Sequence, residues 1–311
     1  MSSRPAVRWG VVGPGRIAQA VVRDFPEVEG AEVVAVASRS AERARTFADE
    51  HQIATAHGSY AAIVAAEDVD ALYIATPHPQ HHRIALAAIH AGKAVLVEKT
   101  FTATVAGAEE VVAARALIED GAIGEVRQVQ ADLGVDQPFD PASRLFDPAQ
   151  GGGALLDLGV YVVSFAQYFL GTPDHVHVSG SLAPTGVDAE AGLLLGYDDG
   201  RAAALLASIR HYTPGAARIH GTQGWIDVQP RFHHPRTIVL SRRGHVPETI
   251  TRLPRGGGYA HELAEVTEAV AAGRTESAVM PLDDTLAVQR VLNSACEQLG
   301  VFHREDETLE L

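Results

Sequence analysis

The order of apolar and polar positions divides this chain into two textures. In the first, short unbroken apolar runs alternate with amphipathic ones. Val7–Val12, Ala31–Ala37, Ala71–Ala75 and Ala94–Val97 read as strands. Their continuous apolar character predicts burial on both faces, as in a parallel sheet. Ile17–Arg23, Ala41–Glu50 and His82–Ala91 read as helices between them, the last stopped by Gly92. Strand and helix in strict alternation predict a doubly wound α/β layer with right-handed crossovers.

After about Gly121 the texture changes. Glu125–Val135 alternates like a half-exposed strand, and Gly151–Gly153 leads into an apolar helix, Leu155–Leu170. Val176–Ser181, Ala189–Tyr197, Arg201–Ile209, Ala217–His220, Trp225–Val228, Thr237–Leu240 and Glu248–Arg252 follow as strand candidates. Asp198-Asp199-Gly200 suits a hairpin turn, because Asp and Gly tolerate positive φ. This predicts a large, mostly antiparallel open sheet with one face left for a partner or another domain. Gly256–Gly258 reads as a flexible link before two helices, Tyr259–Ala272 and Leu282–Leu299. The expected fold is therefore α/β: a dinucleotide-binding domain over 1–121, then an α+β domain over 122–311. The two C-terminal helices are expected to pack back on the first domain.

Composition narrows the partners. The 311 residues are 46% hydrophobic, enough for sizeable cores. A net charge of −14 argues against binding the phosphate backbone of a nucleic acid. No stretch of about 18 apolar residues is free of charge, so no membrane span is expected. The single cysteine, Cys296, rules out an intrachain disulfide framework and a cysteine-based metal cluster, so no metal site is expected. A reducing cytoplasm is the simplest compartment, and no signal peptide is visible.

The candidate chemistry gathers at strand ends. Gly13-Pro14-Gly15-Arg16-Ile17-Ala18 follows the first strand and opens a helix. Gly13 allows the tight turn, Gly15 lets the backbone approach a phosphate, and Ala18 keeps helix and strand close. The free N–H groups of the helix start favour a pyrophosphate. The second strand ends in Ser38-Arg39-Ser40, where an NAD enzyme usually places an acid for the ribose hydroxyl. A guanidinium there suits a 2′-phosphate instead, which favours NADP with NAD still possible; the alternative is a solvated surface arginine.

Thr76, Pro77 and His81 follow the third strand, and Glu98-Lys99 the next. The carboxyl edge of such a sheet is where ligands bind. His78, His81 and His82 lack an acid or cysteine to complete a ligand set, so no metal is expected there. Lys99 could meet a substrate hydroxyl, or Glu98-Lys99 could be a surface ion pair. Asp157 and Tyr161 lie four apart on an otherwise apolar helix. They either face a substrate cleft or are a helix-start acid and a core tyrosine. Burial without a partner would be costly for both.

Together these segments resemble the Gfo/Idh/MocA oxidoreductase family. The resemblance rests on Gly13–Ala18, Thr76-Pro77 with His81, Glu98-Lys99-Thr100, Gly152–Tyr161 and Gly221-Thr222-x-Gly224-Trp225, in family order. Within the family the chain is similar to the branch of dihydrodiol dehydrogenases and NADP-dependent aldose 1-dehydrogenases, which carry tyrosine at the Tyr161 position. The resemblance implies a Rossmann domain, a second domain on an open sheet that forms a homodimer or higher homo-oligomer, and a sugar, polyol or dihydrodiol substrate. It implies Lys99, Asp157 and Tyr161 as the catalytic group, with Tyr161 handling the proton. The same scaffold also suits a non-catalytic NAD(P)-binding sensor. Two departures stand out. Thr100 replaces the family's proline, which would pre-set φ. Between Ala114 and Arg115 the chain also lacks a strand and a Met-Glu-Ala-x-Trp-x-Arg-Phe-like motif of the relatives, and with them one sheet strand and one pocket wall.

Overall fold

The computed structural model describes residues 5–99, 108–251, 256–306 and 309. Two compact units emerge, and the chain passes between them more than once. The first comprises Met1–Ala106, Arg255–Met280 and Arg304–Leu311; the second comprises Gly107–Pro254 and Pro281–His303.

The first unit is the expected parallel layer. β1 (Val7–Val12), α1 (Arg16–Val22), β2 (Ala31–Ala37), α2 (Ala41–His51), β3 (Thr55–His57), α3 (Tyr60–Ala65), β4 (Ala71–Ile74), α4 (His81–His90) and β5 (Ala94–Val97) follow in order. Five strands pair in parallel in the order β3-β2-β1-β4-β5. Val11, Val12, Ala35, Val36, Leu72 and Ile74 are fully buried, as continuous apolar strands require. β3 and α3 were not anticipated: three residues of strand and six of helix are too short for periodicity to register.

A later segment, with α7 (Ala260–Ala271), completes this unit and packs on β1 and β2. Trp9 Nε1 donates to Thr267 Oγ1 at 3.2 Å. The triglycine segment before α7 is not the loose link its composition suggested. Asp24 accepts from Gly257 N and Tyr259 N, each at 2.7 Å. A Cβ on Gly256 would lie 2.8 Å from Asp24 Oδ1.

The second unit begins with α5 (Ala108–Glu119), one unbroken helix across Ala114 and Arg115. β6 (Val126–Gly134) follows, then a π-helical turn, Leu155–Gly159, running into α6 (Val160–Leu170). β7 (His175–Leu182), β8 (Asp188–Gly196), β9 (Ala202–Ser208), β10 (Ala217–Gly221), β11 (Gly224–Val228), β12 (Thr237–Arg242) and β13 (Glu248–Thr251) complete an eight-stranded sheet. Its order is β13-β12-β11-β10-β6-β9-β8-β7. All its pairs are antiparallel except β6 with β9, because β6 enters the middle of the sheet from far earlier in the chain.

α6 and α8 (Leu282–Leu299) cover one face of this sheet. Ala191, Leu193, Leu195, Ala203 and Leu205 point into that core, while Gly192, Leu194, Ala204 and Leu206 alternate outward. The run Pro148–Leu170 is long and apolar enough by composition to cross a membrane, which the sequence reading did not pick out. It is largely buried within its unit, and that burial accounts for its apolarity.

Candidate active site and dinucleotide site

In the first unit the carboxyl edge of the sheet collects the expected residues. Gly13 turns with φ of +91°, and a Cβ there would lie 2.9 Å from the Ala75 carbonyl oxygen. Its N–H donates to Ala37 O at 3.0 Å, which ties the turn to β2. Gly15 is the N-cap of α1; no side chain caps that helix, and nothing lies within 4 Å of where a Cβ would be. Pro14, Arg16 and Ile17 complete an open turn whose helix-start amides have no side-chain acceptor. That is the form a pyrophosphate cradle takes.

At the end of β2, Ser38 is buried and its Oγ accepts from Ser40 N at 3.2 Å. Ser40 in turn caps α2 by accepting from Arg43 N at 3.3 Å. Arg39 is exposed beside this cap. Burial raises the Tyr60 phenol pKa, and the charges of Arg39 and Arg43 pull against it. Arg43, on α2, was not picked out from sequence.

Beyond β4, Thr76 is buried and its hydroxyl has no hydrogen-bond partner. Pro77 leads into a 3-10 turn, His78–Gln80, and His81 opens α4. His81 Nε2 lies 2.7 Å from the Thr76 carbonyl oxygen. A carbonyl only accepts, so Nε2 carries the proton. Burial, against that hydrogen bond and with help from the charge of Lys99, pushes the His81 pKa down to about 4. The ring is neutral at pH 7 and locks the Thr76-Pro77 turn. After β5, Glu98 is buried and accepts from the Tyr73 hydroxyl at 2.5 Å. Its other oxygen accepts from Lys99 N at 3.3 Å. Thr76, His81, Glu98 and half-buried Lys99 are thus gathered at one sheet edge. Thr100 lies outside the described residues.

In the second unit the glycines before α6 are tightly constrained. A Cβ on Gly152 would lie 2.7 Å from the carbonyl oxygens of Arg144 and Leu145. Gly153 has φ of +119° and faces the Asp188 carboxylate. Asp188 Oδ2 accepts from Leu155 N at 2.5 Å and so fixes the start of the helical run. Asp157 lies in the π turn, where an α-helix was expected. Such turns recur at functional positions. Asp157 is 8% exposed, and Arg144 Nη2 donates to its Oδ1 at 2.8 Å. Tyr161, on the first turn of α6, packs its ring 5.0 Å from that of His233. Arg144 and His233 were not picked out from sequence, because irregular segments carry them. Chemically, a charged acid and a phenol on one helical run offer a hydroxyl acceptor and a proton carrier.

Taken together, the glycine turn, the Thr76 hydroxyl and Arg39 at the end of β2 fit a dinucleotide.

Comparison with known proteins agrees. Residues 7–118 match a family described as an oxidoreductase family with an NAD-binding Rossmann fold. Residues 111–227 match the GFO/IDH/MocA C-terminal domain. Trans-1,2-dihydrobenzene-1,2-diol dehydrogenase from Xenopus tropicalis is 32% identical over 331 residues, covering 96% of this chain and 99% of that protein. The human enzyme of the same name is 31% identical over 336 residues, covering 97% and 99%. An aligned length of 331 exceeds this chain's 311 residues, so at least 20 positions of the frog enzyme have no counterpart here. Among solved structures, an aldose-aldose oxidoreductase from Caulobacter crescentus superposes with a TM-score of 0.82 at 24% identity, covering 95% and 98%. A 3-ketoreductase from Actinomadura kijaniata in complex with NADP and TDP-benzene gives 0.77 at 25%, covering 96% and 99%. The chain belongs to the Gfo/Idh/MocA family of oxidoreductases, with an NAD-binding Rossmann domain followed by the family's C-terminal domain.

Proposed function

We propose that this chain is an NADP-preferring dehydrogenase acting on a hydroxyl of a sugar, polyol or dihydrodiol. The observation that carries this reading is the end-to-end likeness to 1,2-diol dehydrogenases. Arg39 just after β2 and Arg43 on the first turn of α2 support the preference for NADP over NAD.

The nicotinamide, when bound, supplies the hydride acceptor. The chain's own residues hold the hydroxyl and take its proton. Lys99 donates a hydrogen bond to the reacting oxygen, and its positive charge favours the alkoxide that develops there. Tyr161 takes the hydroxyl proton. Asp157, oriented by Arg144, accepts from a neighbouring substrate hydroxyl. The outward face of the eight-stranded sheet supports formation of a homodimer or higher homo-oligomer, since Leu194 and Trp225 are exposed there. A reducing, cytoplasmic setting suits the free buried thiol of Cys296.

Titration with NADPH and NADH, followed by nicotinamide fluorescence, tests the cofactor reading: NADPH binds tighter. A screen of aldoses, polyols and dihydrodiols then yields turnover that Tyr161→Phe removes, with NADPH affinity kept. The positions this chain lacks relative to the frog enzyme favour a second reading, a non-catalytic dinucleotide-binding regulator. Tight NADPH binding without hydride transfer to or from any of these compounds would select it. Failure to bind either nucleotide would overturn both.

A further inference from the structure

Behind the start of the α6 helical run, three side chains from distant parts of the sequence converge. Asp188 opens β8, Cys296 lies in the last two turns of α8, and His303 follows that helix. One ligand atom from each lies within 4.8 Å of the others. Among the described residues, no other group of three His, Cys, Asp or Glu side chains gathers this closely.

Among the described residues, three buried polar atoms here find no hydrogen-bond partner. Asp188 is fully buried, and while Oδ2 is held by Leu155 N, Oδ1 has no hydrogen-bond partner. Both ring nitrogens of His303 are buried and equally without a partner. Cys296 is a buried free thiol. Buried carboxylate oxygens and imidazole nitrogens are rarely left unpaired, so three such atoms in one pocket call for a common partner.

We propose that Asp188, Cys296 and His303 form a structural site for a divalent transition-metal ion, with zinc the best fit. Thiolate, imidazole and carboxylate are the donor types zinc takes in tetrahedral sites. A thiolate and a carboxylate together carry two negative charges, which neutralise the ion in a dry pocket. Ligand bonds of about 2.0–2.3 Å require the donor atoms to close inward by about 1 Å. Three protein donors leave a fourth position for water. Because Asp188 also holds Leu155 N, the ion would clamp the end of α8 and β8 to the helical run that carries Asp157 and Tyr161. This inference stands apart from the proposed substrate and cofactor.

The test uses the untagged full chain, stripped with chelator and titrated with cobalt(II). Cys296 is the only cysteine, so a thiolate-to-cobalt charge-transfer band reports this site and no surface histidine cluster. The expected result is a band that saturates at one ion per chain, is displaced by zinc, and is absent in Cys296→Ser and His303→Asn. Zinc also raises the melting temperature of the wild type and leaves that of both variants unchanged. A wild type with no band, or a band that persists in His303→Asn, would overturn the proposal. So would an unchanged melting temperature with zinc, which would leave a buried water as the occupant.

Discussion

At the scale of single residues, His81 shows how burial becomes a measurable pH dependence. Its folded pKa of about 4 lies below its ordinary value of 6.5. Between those values the unfolded chain binds a proton that the folded chain refuses, so folding weakens as pH falls through that window. The contribution is of order 3 kcal/mol. His220, His234 and His303 are lowered in the same sense, whereas burial raises Asp188 to about 6 and acts oppositely. A comparison with His81→Gln cancels these, since glutamine keeps a donor for the Thr76 carbonyl and cannot titrate. Urea unfolding at pH 7, 5.5 and 4.5 should show the variant losing less stability on acidification; parallel losses would remove His81 from the account. Arg39 and Arg43 give a second residue-level expectation. Arg39→Ala or Arg43→Ala should weaken NADPH by about tenfold and leave NADH unchanged, the loss of one exposed charge-assisted bond. Equal losses for both nucleotides would mean the arginines do not read the added phosphate. Arg39 was legible because the strand end fixes its place, but Arg43 and Arg144 were not. An arginine on a helix surface or in a loop has no pattern to separate it from a solvated one.

At the scale of elements, legibility followed length. The apolar runs of β1, β2 and β5 are observed with the bounds that the sequence predicts, and α8 likewise. β3, α3 and the short 3-10 turns near Phe146 and Ala149 escaped, because a turn or two of helix leaves no period to count. Alternation along β6 marked it as half-exposed, yet it carries no information on partner direction, and β6 pairs with β9 in parallel. The π turn was hidden too, since one extra residue in a helical turn does not alter an apolar run. The glycines before it impose the sharpest constraint. Gly152→Ala would press a Cβ against the carbonyl oxygens of Arg144 and Leu145. Backbone must move to admit it, at roughly 2 kcal/mol. The same movement carries Arg144 away from Asp157, so turnover should fall more than NADPH affinity. A variant with wild-type melting temperature and activity would show that this turn has slack.

At the scale of the whole molecule, the sheet leaves one consequence to be met. One face is covered by α6 and α8, and the other presents Leu194, Ala204 and Leu206 between polar neighbours. Leu194 remains 51% exposed in a single chain. Burying an apolar side chain of that size contributes about 1.5–3 kcal/mol, so a self-complementary apposition of two such faces has a clear driving force. The sequence reading left one side of this sheet for a partner or another domain, but β8 and β9 are apolar at nearly every position, so their pattern does not say which side. Leu194→Glu and Leu206→Glu test the point directly. Both positions point away from the core, so the fold should survive, with circular dichroism unchanged. Each added carboxylate would be carried into an apolar contact and left without a cation, which costs several kcal/mol. Light scattering should report twice the 32.9 kDa chain mass for the wild type and the single chain mass for the double variant. A wild type of single mass would leave this face as open sheet, and a double variant that stays paired would place the contact elsewhere.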